Sequence, residues 1–89
     1  MLETFFEKSF LNDYKTLKKK HYKIEKLDIV IKLLQTEQTL PNKYKNHFLK
    51  GNMQGLQDCH IESNLVLIYK IENNKLILSR VSTHDDIFN

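Results

Sequence analysis

The apolar positions of this 89-residue chain change period once, near its middle. Up to Pro41 they recur at three- and four-residue spacing; beyond Gly51 they fall into short runs that suit strands. Residues 2–6 form a short, partly apolar, β-compatible stretch that reads as an edge or inner strand. From Phe10 the spacing is helical, with Phe10, Leu11, Tyr14 and Leu17 on one side and Lys15, Lys18, Lys19 and Lys20 toward the other. Two starts compete for this helix. Thr4 with Glu7 three residues on makes a capping-box pattern, and Ser9 can cap a helix that begins a turn later. A second stripe, Ile24, Leu27, Ile31 and Leu34 reinforced by Val30 and Leu33, predicts a helix that ends before Pro41, which also disfavours helix at Leu40. The short link at residues 21–23 implies an antiparallel helical hairpin.

Residues 41–51 have mixed polarity and little period, and read as a loop. Three strands follow, over residues 54–61, 65–72 and 75–82. Asn73 and Asn74 join the last two, and asparagine tolerates the positive φ of a tight hairpin turn. The fold class expected is α+β, a helical hairpin packed on an antiparallel sheet. If Asn73 and Asn74 make a two-residue turn, Glu72 pairs with Lys75 and Leu67 falls opposite Arg80. If Ser63 and Asn64 make the preceding turn, His60 falls opposite Leu67. His60, Leu67 and Arg80 then form a row, with the outer two starting about 10 Å apart. A bulge breaks this register. Both faces of these strands carry apolar residues, so parity leaves open which face the helices cover.

Composition narrows the class. The chain is 40% hydrophobic and 28% charged with two glycines and one proline, which fits one folded domain over residues 1–89 rather than a disordered tail. The single cysteine, Cys59, has no intrachain partner, and a reducing cytoplasm is the natural compartment. Glu3 and Glu7 interrupt the segment where a signal peptide needs apolar residues, and no run reaches membrane-spanning length. A net charge of +3 suits a polyanionic partner.

The residues able to carry chemistry gather late. His60 lies two positions from Asp58 on the same face of a strand, where a carboxylate can hold an imidazole tautomer; on pattern alone a satisfied histidine at a sheet end is the favoured reading. Arg80, late in its strand, suits either bidentate phosphate binding or a surface ion pair. Ser82 or Thr83 can cap a terminal turn that contains Asp85 and Asp86 and puts His84 and Phe88 on one face. His47 sits among Tyr44, Lys45 and Lys50, a basic and aromatic mixture that serves RNA or simply meets solvent. The lysines over residues 15–20 are a solvated helix face or a phosphate-backbone patch. Neither C-x-x-C nor H-x-x-x-H spacing occurs, so no metal site is expected. Phosphate-loop, dinucleotide and G-x-S-x-G patterns are missing too. Cys59 points away from His60, toward a core.

The elements YKNHFLKG, G-x-x-D-C-H-I, L-V-L-I-Y-K and R-V-S-T-H-D-D-I-F, in this order and spacing, resemble the YafQ branch of the RelE-like bacterial toxins. The resemblance spans essentially the whole chain and is specific from Leu40 onward. It implies a RelE-like α+β fold: a short strand, two helices and a mainly antiparallel sheet. It implies a type II toxin, a ribosome-dependent endoribonuclease that cleaves mRNA in the A site by 2′-OH attack, with neither metal nor other cofactor. The residues matching the family's active site are His47, His60 and His84, with Arg80 as phosphate binder and Phe88 beside the substrate. On this likeness His84 is the general acid and His60, with His47 or Asp58, the base, and Lys50 joins the RNA-binding set. The partners implied are an acidic antitoxin of the DinJ or RelB kind, the ribosome and mRNA, with DNA reached only through the antitoxin. Three positions depart from the family pattern: Gln57 stands for an arginine, Asn64 for an aspartate and Ser82 for a glycine. Those departures motivate a second reading, a catalytically weakened RelE-like protein that binds antitoxin or ribosome. An unrelated basic RNA-binding module is the third.

Overall fold

The computed structural model describes residues 1–22, 24–50, 55–62 and 64–88. Parts of four expectations therefore lie outside the described residues: Lys23 in the helix link, Gly51 at the end of the loop, Gln54 at the start of a strand and Ser63 in a turn. The chain runs β1 (Glu3–Phe6), α1 (Lys8–Lys19), α2 (Glu25–Gln35), one 3-10 turn (Asn42–Tyr44), β2 (His47–Phe48), β3 (Gln57–His60), β4 (Leu65–Glu72), β5 (Lys75–Thr83) and α3 (His84–Phe88). The five strands make one sheet in the order β1-β5-β4-β3-β2, with β1 parallel to β5 and every other pair antiparallel.

Neither proposed cap starts α1. The helix begins at Lys8 behind Glu7, whose side chain makes no capping bond. Thr4 stays in β1, where its hydroxyl accepts from Gln35 Nε2 at 2.9 Å, and Ser9 turns away to donate to the Ser79 carbonyl at 2.6 Å. Tertiary partners have claimed both hydroxyls. Both helices end in the same device. His21 and Glu37 take positive φ, and the N–H groups of the next residues, Tyr22 and Gln38, reach back to the Leu17 and Leu33 carbonyls. This six-to-one closure ordinarily uses glycine; here other side chains bear the left-handed backbone.

One apolar cluster joins Phe10 and Leu17 of α1, Leu27, Val30 and Leu34 of α2, and Cys59, Leu67, Tyr69, Leu76, Leu78 and Val81 from β3, β4 and β5. The helical stripes thus cover one face of the sheet. Val66 and Ile68 are also fully buried but stand outside that cluster, at alternate positions of β4, so they lie on the other face.

Asn73 and Asn74 form the expected turn, with φ of 51° and 62°, and Glu72 pairs with Lys75. The row built on that turn does not form. A bulge between Ile68 and Tyr69 on the β4 side leaves Ser79 extra on β5, so Arg80 pairs with Ile68 and Leu67 with Val81. Across β3, His60 pairs with Val66 rather than Leu67, because the chain reverses between Ile61 and Leu65. The extra residue has a directional effect: the alternation that sends Leu76 and Leu78 into the core would send Arg80 there too, and Ser79 resets it. The segment expected as a loop also carries structure, a 3-10 turn and the two-residue β2 on the sheet edge.

Candidate active site

On the face turned from the helices, cross-strand pairing lines up His47, Asp58, Ile68 and Arg80 in one row and His60, Val66 and Ser82 in the next. Val66 and Ile68 form an apolar bed beneath the polar groups. His84 follows directly as the first residue of α3, and two bonds fix it there. Its N–H donates to the Asn64 carbonyl at 3.0 Å, and the Asp86 N–H donates to Thr83 Oγ1 at 3.2 Å. Thr83 is therefore the cap of α3, while Ser82 donates to Asp86 Oδ2 at 3.1 Å. The imidazole of His84 stands 6.3 Å from that of His60 and 4.6 Å from the ring of Phe88, centroid to centroid.

Asp58 lies at the centre of this group and is only 2% exposed. Burial raises its pKa against the opposing pull of His47, then His60, then His84, so the three imidazoles all bear on one carboxyl group. His47 Nδ1 is 3.0 Å from Asp58 Oδ1 and 2.9 Å from the Lys45 carbonyl oxygen. A carbonyl only accepts, so Nδ1 carries the proton of the neutral ring and Nε2 holds the lone pair. The N–H serves Lys45, and Asp58 Oδ1 is left buried with no hydrogen bond.

Sequence reasoning missed the residues that hold this arrangement. Lys45 takes a left-handed backbone, φ 48°, and its carbonyl meets His47 Nδ1. The Asn46 amide donates to the Asp58 carbonyl at 3.0 Å and to Tyr69 Oη at 2.7 Å, and Tyr69 donates in turn to Gln57 Oε1 at 3.1 Å. Burial pushes the Tyr69 phenol up to about 12, so it remains a neutral donor. This relay fastens a strand of two residues to β3 and β4. Gln57, the replacement for an arginine, ends the relay. Asp13 was the other omission. Its carboxylate accepts from Arg80 Nε at 2.6 Å, Arg80 Nη2 at 3.2 Å and the Val81 N–H at 3.0 Å. Those bonds raise the Arg80 pKa further and cover the edge of β5 that β1 leaves unpaired. The signal was available: Asp13 is the one acidic residue of α1.

His47, Asp58, His60, His84 and Phe88 come together. Arg80 shares their face, but Asp13 holds two of its nitrogens, and its side chain is 38% exposed. Lys50 is exposed at the end of a described stretch. Ser82, the glycine replacement, is absent from the positive-φ residues, so its backbone bears no left-handed strain. Cys59 faces the core, and burial pushes its thiol up to about 12, which removes it as a nucleophile.

The family model described as bacterial toxin of type II toxin-antitoxin system, YafQ, matches residues 2–89. The chain belongs to the YafQ family. Within it, the mRNA interferase toxin YafQ of Escherichia coli (strain K12) is 35% identical over 80 residues, covering 89% of this chain and 87% of that protein. The YafQ fold is also shared with solved structures. The E. coli DinJ-YafQ complex aligns with a TM-score of 0.92 at 31% identity, covering all of both chains. A copper-bound mutant toxin from Helicobacter pylori aligns at 0.95 and 31% identity, over 99% of this chain and 100% of that one. The copper prompts a test of the donor set. Among the described residues no three of His, Cys, Asp or Glu are arranged to hold one ion. No step below passes through a metal. None of the described helices is long and apolar enough to cross a membrane.

Proposed function

We infer that this YafQ-family chain, as a single toxin domain over residues 1–89, is a ribosome-dependent endoribonuclease that cuts mRNA in the A site. The observation that carries this reading is geometric: His47 Nδ1 lies 3.0 Å from the buried Asp58, His60 stands in the next row of the same sheet face, and His84 is 6.3 Å from His60 and 4.6 Å from Phe88. Attack of a ribose 2′-OH on the adjacent phosphate forms a new P–O bond and breaks the bond to the 5′-oxygen. The products are a 2′,3′-cyclic phosphate and a 5′-hydroxyl. The reaction needs a base at the 2′-OH, an acid at the departing oxygen and positive charge near the phosphate.

His60 takes the 2′-OH proton, with His47 in the neighbouring row, and His84 donates to the leaving oxygen. Asp58 is too buried to touch RNA. It acts through the imidazoles, stabilising whichever becomes charged. Phe88 lies against the substrate, while Lys50 and the exposed part of Arg80 bear on phosphate. Imidazole carries out both proton transfers, so activity is expected to survive EDTA. The E. coli relative solved with DinJ supports an acidic antitoxin as partner, which suits a chain of net charge +3. DNA is then met only through the antitoxin, and the compartment is the cytoplasm.

The pinning of Arg80 by Asp13 favours a second reading, a weakened enzyme retained for binding antitoxin or ribosome. One experiment separates them. Primer extension on a defined mRNA, with purified ribosomes, is run for the parent and His84→Ala. A-site cuts by the parent that fall about 10²- to 10⁴-fold in the variant support the enzyme. Ribosome or antitoxin binding without any cut supports the second reading.

A further inference from the structure

The site does not end at His60. That residue also forms a wall of an adjoining groove of about 490 Å³, between α2 and the 3-10 turn, an ordinary size for a small-ligand site. Lys26, Lys43 and Lys45 line the groove, and its one carboxylate, Glu62, is paired with Lys26 Nζ at 3.3 Å. The balance is cationic. Its apolar part is Ile29, which is 54% exposed although α2 turns Leu27, Val30 and Leu34 into the core. Core packing does not explain an isoleucine left in water there. Beside it the nearly buried Ile61 and Tyr44 complete an apolar strip, and Lys43 Nζ stands 5.2 Å from the Tyr44 ring centroid.

We propose that this groove seats the mRNA nucleotide next to the scissile phosphate and so sets which base is tolerated on that side of the cut. The proposal rests on the endoribonuclease reading and deepens it. Apolar strip and flanking ammonium groups match the two parts of a nucleotide, base and phosphate. Excess positive charge selects a polyanion over an ordinary peptide. Continuity through His60 selects the strand being cut over ribosomal RNA, because only that strand must touch His60.

The test uses ribosomes carrying an mRNA library randomised around the A-site codon, with cut sites read by sequencing for the parent, Ile29→Ala and Lys43→Ala. Both positions are exposed, and neither belongs to the catalytic group. Each variant is expected to lose about 10-fold in cutting of the preferred sequence and to flatten the base preference at one flanking position. Ribosome and antitoxin affinity stay at parental values. Unchanged rate and preference overturn the proposal. So does uniform loss across all sequences with weaker ribosome binding, which assigns the groove to ribosomal RNA, or weaker antitoxin binding with normal cutting, which assigns it to protein. A parent that makes no cut defeats the endoribonuclease reading instead. The groove is then read by photo-crosslinking of 4-thiouridine mRNA on the ribosome: crosslinks to the segment bearing Lys43 and Tyr44 uphold it, and their absence overturns it.

Discussion

The two faces of the β3-β4-β5 sheet are built from alternate residues of the same strands and are held together by different means. On the helix side Cys59, Leu67, Tyr69, Leu78 and Val81 meet α1 and α2 in one apolar cluster, whose strength lies in area and close packing. On the other side the apolar bed is Val66 and Ile68, and the polar groups above it are set by directional bonds, Lys45 to His47 and Asn64 to His84, while Asn46 ties the edge strand to the Asp58 carbonyl and to Tyr69 of the helix side. Packing tolerates a change of shape that conserves volume; a set of aimed donors does not. The first face therefore carries the stability of the protein, and the second gathers the residues proposed to act on RNA.

Truncating the helix-side face should hurt most in stability. Leu27→Ala, at a fully buried position, is expected to cost about 2 to 5 kcal/mol by denaturant melt while leaving cleavage per folded molecule intact. Asn46→Ala should show the opposite signature. Loss of its two bonds lets β2 shift, and cleavage is expected to fall on the order of 10- to 100-fold. The pH profile should move as the His47 tautomer loosens, and antitoxin affinity should hold. A parental pH profile would make Asn46 merely structural.

Asp58→Asn sharpens the comparison by changing sign. Burial raises the Asp58 pKa, so the fold binds that proton more tightly than the unfolded chain does. Its contribution is greatest below the ordinary value of 3.8 and is lost as pH rises through the raised one. Above the raised pKa the ionised carboxyl, with one buried oxygen lacking a hydrogen bond, costs stability. The amide variant is expected to be more stable there by about 1 kcal/mol, with the gain fading in acid, and to cleave more slowly. Thermal melts across pH read the first effect. The smallest change belongs to neither face: Lys70→Ala breaks an exposed pair with Glu72 and should alter stability by less than about 0.5 kcal/mol.

The comparison also explains what could be read from sequence. The helix-side face announces itself through period, as in Leu27, Val30 and Leu34, and the Asn73-Asn74 turn through local backbone preference. The histidines were found by residue type and family likeness. Their row was not, because pairing across strands depends on one residue gained at Ser79 and on where the chain turns after Ile61, and neither leaves a mark in hydrophobic alternation. β2 escaped for a related reason. Two residues carry no period, and their partners, Gln57 and Asp58, belong to another strand. Asp13 stood out as the one acid of α1, but its partner could not be read, because Arg80 lies 67 residues away.

The bulge at Ser79 has a meaning for heredity. Loss of that single codon would remove none of the histidines and would leave the sequences of α1, α2 and the asparagine turn unchanged. It would nonetheless exchange the inward and outward residues of the strand beyond it, sending Arg80 toward the leucines. In this lineage the number of residues between Leu78 and Arg80 is inherited information, and a gene with all its histidines present can still encode a disarmed protein.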